Sequence, residues 1–172
     1  LEIRKASKED IHHVSRVYVD SWRTTYRGLV PDDYLKELSY DDAEKSWNDF
    51  LNNENEPFIY VAISDIGEII GFASGKSIDD KNFDGELYSL YLLQECRGLG
   101  VGRQLVSAIA KHFKEKDIHS MMVWVMKQNK SGLGFYERMG GKEYIRRTSM
   151  FGGTKVEDVA YGWKDISVLC VE

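Results

Sequence analysis

Cysteine and proline are both scarce in this sequence, at two residues each in 172. Cys96 and Cys170 lie far apart with no CxxC spacing, which excludes a disulfide framework and a thiol-rich zinc site; they read as ordinary thiols of a reducing cytosol. With so few prolines and only 15 glycines, fibrous and disordered classes are also excluded. No apolar run approaches the ~20 residues that span a bilayer, so no membrane partner is expected. The opening Leu1-Glu2-Ile3-Arg4 has no apolar leader, which makes the cytoplasm the expected location. Basic charge is in deficit: 23 Lys and Arg face 28 Asp and Glu, for a net charge of −5. That balance argues against a nucleic-acid partner, which needs a basic footprint. His12, His13, His112 and His119 show neither HxxxH nor HExxH spacing, and no metal is expected.

What is present is enough for a core. With 42% hydrophobic and 30% charged residues, a chain of this length buries roughly 70% of the surface its unfolded form exposes. One domain over residues 1–172 is therefore expected. Leu1 to Lys5 reads as a short strand, and Ser7 with Asp10 three residues on reads as a helix cap. Ile11, Val14, Tyr18 and Trp22 then recur at helical spacing. Pro31, followed by Asp32 and Asp33, restarts a short helix through Leu38, and a third helix spans Asp41 to Leu51. The two acids could attract an amine or could simply suit a first helical turn.

The period then changes. Phe58 to Ile63 and Ile69 to Gly75 form a β-hairpin, and the nearly continuous apolar run from Glu86 to Leu93 predicts a central strand covered on both faces. A glycine cluster, a helix with Val101, Leu105, Ile109 and Phe113, and the strand Met121 to Val125 complete a βαβ unit. A helix from about Ser131 to Met139 ends at Gly140-Gly141. The last hairpin pairs Glu143 to Met150 with Val156 to Trp163, and Phe151-Gly152-Gly153 at its tip could contribute to a homodimer.

The cluster Arg97-Gly98-Leu99-Gly100-Val101-Gly102-Arg103 carries the most chemistry. Glycines at alternate positions let a ligand approach the backbone, and free N–H groups at a helix N-terminus suit phosphate oxygens. A Walker loop starting at Gly98 would need Gly at position 103 followed by Lys and then Ser or Thr; a dinucleotide fingerprint would need Gly there as well. Arg103 excludes both. A tight structural turn is the alternative that the loop alone leaves open.

This loop resembles the acetyl-CoA signature of the GNAT superfamily of N-acetyltransferases. Asn129 followed by Phe135-Tyr136 is similar to that superfamily's second signature. The resemblance implies an α/β (α+β) fold: a mixed, mostly antiparallel central sheet of about seven strands, flanked by helices, with a splayed central strand. It implies acetyl-CoA as cofactor, with pyrophosphate over the backbone from Gly98 to Arg103 beside Arg97. Pantetheine would then lie along Leu90, Tyr91 and Leu92. It also implies direct transfer of the acetyl group to a primary amine in a small molecule or peptide.

By the same resemblance Tyr136 would protonate the departing thiolate, and Glu86 would be the base that deprotonates the acceptor. Residue chemistry alone leaves other roles open. Tyr136 could be a buried aromatic, Phe135 reads as core, and Glu86 could be a solvated strand-end carboxylate beside Asp84. A water relay could replace it. Asn129 could bind the cofactor, cap the helix, or do both. Trp22 and Tyr26, with Tyr34 beside them, offer aromatic walls for the acceptor or belong to the core. A catalytically silent acyl-CoA sensor of the same fold is the competing function, and the surplus acid would lie toward the acceptor side.

Overall fold

The computed structural model describes residues 1–171. Its strands are β1 (Glu2–Lys5), β2 (Phe58–Ile63), β3 (Ile69–Ser77), β4 (Gly85–Leu92), β5 (Met121–Met126), β6 (Lys142–Phe151) and β7 (Thr154–Trp163). The helices are α1 (Ile11–Thr25), α2 (Asp32–Glu37), α3 (Tyr40–Leu51), α4 (Val101–Glu115) and α5 (Lys130–Arg138). The strands form one seven-stranded sheet in the order β1-β2-β3-β4-β5-β7-β6. Every pairing is antiparallel except β4 with β5, which α4 joins as a crossover. No helix among the described residues is long and apolar enough to cross a membrane.

Two-residue alternation explains why both faces of the sheet are covered. In β2, Phe58 and Ala62 point into one core with Val101, Leu105, Ile109 and Phe113 of α4. Ile59, Val61 and Ile63 point into the other, with Ile11, Val14 and Val17 of α1 and Trp47 and Phe50 of α3. Each fully buried aliphatic or aromatic side chain in these layers contributes about 1.5–3 kcal/mol. Burying them on opposite faces fixes the strand register, since a one-residue slip would exchange every side chain between faces.

β4 is central, as expected, but it is covered on both faces only where it begins. Leu87 is fully buried, whereas Tyr88 is 47% exposed and Leu90 to Leu92 are half-buried. The cause lies in its parallel partner. β4 and β5 stay in register only at Gly85 with Met121 and Glu86 with Met122. Beyond that point they diverge, and among the described residues no strand pairs with β4 on its β5 side.

Local chemistry sets the helix that carries the second signature. The Asn129 side-chain oxygen accepts the Gly132 N–H at 3.1 Å, capping α5. A Cβ on Gly132 would sit 2.8 Å from the Asn129 amide nitrogen, so the cap itself requires glycine where a stronger helix former would otherwise serve. After β7 a short 3-10 turn, Ile166–Leu169, closes against α4.

The start of α1 is held by charge. The Asp10 carboxylate accepts bonds from the Ser7 N–H at 2.8 Å, the Ser7 hydroxyl at 3.1 Å and the Arg4 guanidinium at 2.7 Å, linking β1 to the helix. The Arg4 contact, with help from Ser7, lowers the Asp10 pKa to about 2. A depressed carboxylate stabilises the fold above its unfolded pKa of about 3.9 and loses that contribution as pH falls through the folded value. Asp10→Asn should lower the unfolding free energy by about 1–2 kcal/mol at pH 7. Urea titrations at descending pH should show the gap closing between about pH 4 and pH 2.

Candidate active site

The divergence of β4 from β5 opens a cleft of about 630 Å³. Leu90, Tyr91 and Leu92 form one side, Val123, Trp124 and Val125 the other, and Asn129, Phe135 and Tyr136 close it from α5. Arg97, Gly98, Gly100, Gly102 and Arg103 line it at the start of α4. Gly98 and Gly100 have φ of 78° and 82°, in the left-handed region where a side chain is strained. A Cβ at either would meet nothing within 4 Å, so their constraint is conformational and the surrounding space is open. Gly102 is different: its Cβ would lie 3.3 Å from the Phe135 ring, so α4 and α5 pack closely there. Phe135 is thus half-buried: it packs against the core and also lines the cleft.

This end of the cleft suits a polyanion. The N-terminus of the 15-residue helix α4 opens onto it with no acidic residue in its first turn. Arg97, Arg103 and Arg138 all line it. One Arg97 amino group donates to the Thr25 hydroxyl at 2.5 Å, tying the loop to the end of α1. Leu99 is 72% exposed and Val101 is buried in the core, and neither lines the cleft. A diphosphate with a long, mostly apolar arm, as in coenzyme A, fits the donors, the open backbone and the apolar walls.

A second cavity of about 450 Å³ lies across β4. Trp22, Tyr26 and Tyr34 line it, joined by Tyr18, Trp47 and Phe151. Glu86 opens into it from β4, Asp158 and Arg147 from β7 and β6, and the exposed Glu37 and Asp42 stand at its rim. The Phe151 ring, at the tip of the last hairpin, packs 5.5 Å from Trp22 and 5.6 Å from Tyr34 of its own chain. Tyr26, Tyr88, Ser89, Tyr91 and Trp124 line both cavities. The two cavities therefore meet on this strip of β4 and its neighbours.

Titration in this region follows burial. Burial pushes the Tyr136 phenol above its ordinary pKa, and the neighbouring Tyr26 phenol adds to the effect, so Tyr136 stays protonated at neutral pH. Burial also raises the Glu86 carboxyl, while the charges of Lys76 and Arg147 pull it back. Glu86 is thus half-buried in a cavity wall and is not the solvated strand end that its neighbour Asp84 remains. Trp22 donates its indole N–H to the Tyr91 hydroxyl at 3.0 Å.

Two polar residues of this cavity were not picked out from the sequence. Asp158, 5% exposed, accepts from the Ser149 hydroxyl at 2.6 Å and from Arg147 Nε at 3.1 Å. The Arg147 guanidinium stacks 4.0 Å from the Trp124 ring centroid. The available signal was an acid opening the otherwise apolar run Val159 to Trp163. Among the described residues, no group of three or more His, Cys, Asp or Glu is placed to hold a metal ion.

Comparison with known proteins agrees with this geometry. The sequence profile of the Acetyltransferase (GNAT) family matches residues 11–141. The chain is 36% identical over 169 residues to the uncharacterized N-acetyltransferase YuaI of Bacillus subtilis, covering 97% of this chain and 95% of the relative. It is 30% identical over 145 residues to the spermidine N(1)-acetyltransferase of Thermoplasma acidophilum, covering 83% of this chain and 88% of that one. The crystal structure of the PaiA N-acetyltransferase from Thermoplasma acidophilum in complex with coenzyme A superposes with a TM-score of 0.72 at 28% identity. That superposition covers 94% of this chain and 96% of the other. An α1 to α5 framework around a seven-stranded sheet split at β4 and β5, a glycine loop that fits coenzyme A and a profile match over most of the chain lead to one assignment: this protein belongs to the GNAT family and is an N-acetyltransferase that uses acetyl-CoA.

Proposed function

We propose that the chain transfers the acetyl group directly to a primary amine of a flexible, multiply charged cation of the polyamine class. The observation that carries this reading is the meeting of two cavities of opposite character at Tyr26, Tyr88, Ser89, Tyr91 and Trp124. One is lined with arginines and open backbone, the other with aromatic rings and with Glu37, Asp42 and Glu86. The acetylation of spermidine by a relative 30% identical over most of both chains supports the choice of acceptor.

The roles follow from position. The backbone from Gly98 to Arg103, including that of Leu99 and Val101, holds the diphosphate together with Arg97. Leu90, Tyr91 and Leu92 seat the pantetheine arm, and Asn129 both caps α5 and faces it. Unpartnered backbone N–H groups of β4 beyond Glu86 are available to polarise the thioester carbonyl. Glu86 takes the proton from the acceptor ammonium, whose free pKa is about 10.4. Tyr136 gives its phenolic proton to the departing thiolate. Trp22 and Tyr26 wall the acceptor's methylenes, while Glu37 and Asp42 at the rim attract its distal ammonium.

Three outcomes test these roles. Tyr136→Phe should lower kcat by about 100-fold, in the usual range for a lost general acid, with calorimetric affinity for coenzyme A within about twofold of wild type. Because Glu86 must be ionised to accept a proton, kcat/KM for spermidine should rise with pH along a limb lying above the usual carboxylate value of about 4.3. Glu86→Gln should lower kcat/KM by about 100-fold and erase that limb. The double variant Glu37→Gln, Asp42→Asn should raise KM for spermidine about tenfold while leaving kcat unchanged, since these acids meet a part of the acceptor that does not react.

A further inference from the structure

Of the four carboxylates that line the acceptor cavity, Glu37 and Asp42 are exposed and Glu86 is half-buried; only Asp158 is buried, at 5% exposure. By the alternation of β7, Asp158 shares a face with Val156, which joins the cluster of Trp22 and Tyr26, and with Ala160, whose cluster Trp124 packs against. An acid therefore stands in an apolar row. Its two oxygens are not used alike. Oδ2 accepts from Nε of Arg147, its direct cross-strand partner, at 3.1 Å and from the Ser149 hydroxyl at 2.6 Å. Oδ1 accepts no hydrogen bond among the described residues. Nor is it enclosed, since among those residues the only side-chain polar atom both shut off from solvent and unpartnered is Asn55 Oδ1. The space that Asp158 borders is the acceptor cavity, so Oδ1 is left open to it. An ionised carboxylate offers about four lone-pair sites, and one set on an apolar face with half of them empty calls for a donor, best a charged one. The β6–β7 ladder already ties the hairpin at both ends, from Lys142 with Gly162 to Phe151 with Thr154, so the acid is not required to close it.

We propose that Asp158 Oδ1 is a cation subsite that binds an ammonium of the acceptor other than the one acetylated, and that Arg147 sets its strength by competing for the same carboxylate. Asp158 does not border the cofactor cleft, and Glu86 is already assigned to the reacting amine. The nitrogen held by Asp158 therefore keeps its proton, and the subsite acts on affinity alone. This inference rests on the polyamine reading above and adds a buried anchor to the exposed rim acids Glu37 and Asp42.

The test is steady-state kinetics with spermidine and acetyl-CoA for Asp158→Asn and Arg147→Gln, on the pH plateau above the Glu86 limb, with coenzyme A calorimetry on each variant. Asp158→Asn keeps the shape and an oxygen for Ser149 and removes the charge. KM for spermidine should rise at least tenfold, with kcat within threefold and coenzyme A affinity within twofold of wild type. Arg147→Gln frees the carboxylate from its competitor, and KM should fall at least twofold. A pair that only holds the hairpin would respond alike to both changes, since each breaks the same bond. An unchanged KM in Asp158→Asn, a higher KM in both variants, a loss of kcat with KM unchanged, or a lowered coenzyme A affinity in Asp158→Asn would each overturn the subsite while leaving polyamine acetylation intact. Should Asp158→Asn fail to fold, Arg147→Gln decides alone: a lower KM supports the subsite, and an unchanged or higher one overturns it. A wild-type protein that acetylates other amines but not spermidine would overturn the polyamine reading and the subsite with it.

Discussion

The parallel pairing of β4 with β5 stops after two residue pairs, and the chemistry of the protein depends on that interruption. Had the two strands stayed in register, the β5-facing backbone groups of β4 beyond Glu86 would be paired as those facing β3 are, and the sheet would be closed. Because they part, a strand edge with unpartnered backbone groups lies in the middle of a folded sheet, flanked by the walls Leu90 to Leu92 and Val123 to Val125. An exposed edge of this kind is normally an aggregation hazard. Here the start of α4, α5 and the end of α1 cover it from three directions and leave room for a ligand.

Charge is divided across the same strip. The side with Arg97, Arg103, Arg138 and the α4 N-terminus favours anions, and the side with Glu37, Asp42 and Glu86 favours cations. The net charge of −5 therefore conceals a local reversal at the arginine-lined end of the cleft. Arg147 sits on the acidic side without undoing it, since it is bonded to Asp158 and stacked on Trp124. Burial then separates the two titrating groups: it holds the Tyr136 phenol protonated on one side and lifts the Glu86 carboxyl on the other.

Much of this was legible in the sequence where a local rule had a single physical solution. Alternation in Phe58 to Ile63 and helical spacing in Val101 to Phe113 placed the sheet and its covering helix. The run Gly98, Gly100, Gly102 marked the anion end, because positive φ at two of these positions and close packing at the third all require glycine. The half-open state of β4 was not legible. An apolar strand facing a ligand cleft has the same composition as one facing a core, and Leu90 to Leu92 serve the cleft. Asp158 and Arg147 were missed for a related reason. They come beside Trp124 and line the Glu86 cavity only through the order β4-β5-β7-β6, which pairs the last hairpin with β5, as between Met126 and Asp158. Trp22 and Tyr26 read equally as acceptor walls or as core, and no local pattern showed that Tyr26 would line both cavities.

The central claim is that two sites of opposite charge meet on one strip of β4, close enough for a single molecule to occupy both. A conjugate in which spermidine is joined through an acetyl bridge to the sulfur of coenzyme A tests this most directly, by calorimetry against coenzyme A alone. If the cavities are continuous, linking the two halves turns the second contact into an intramolecular one, and the conjugate should bind at least about 100-fold more tightly than coenzyme A. A conjugate that binds no more tightly than coenzyme A would contradict the account.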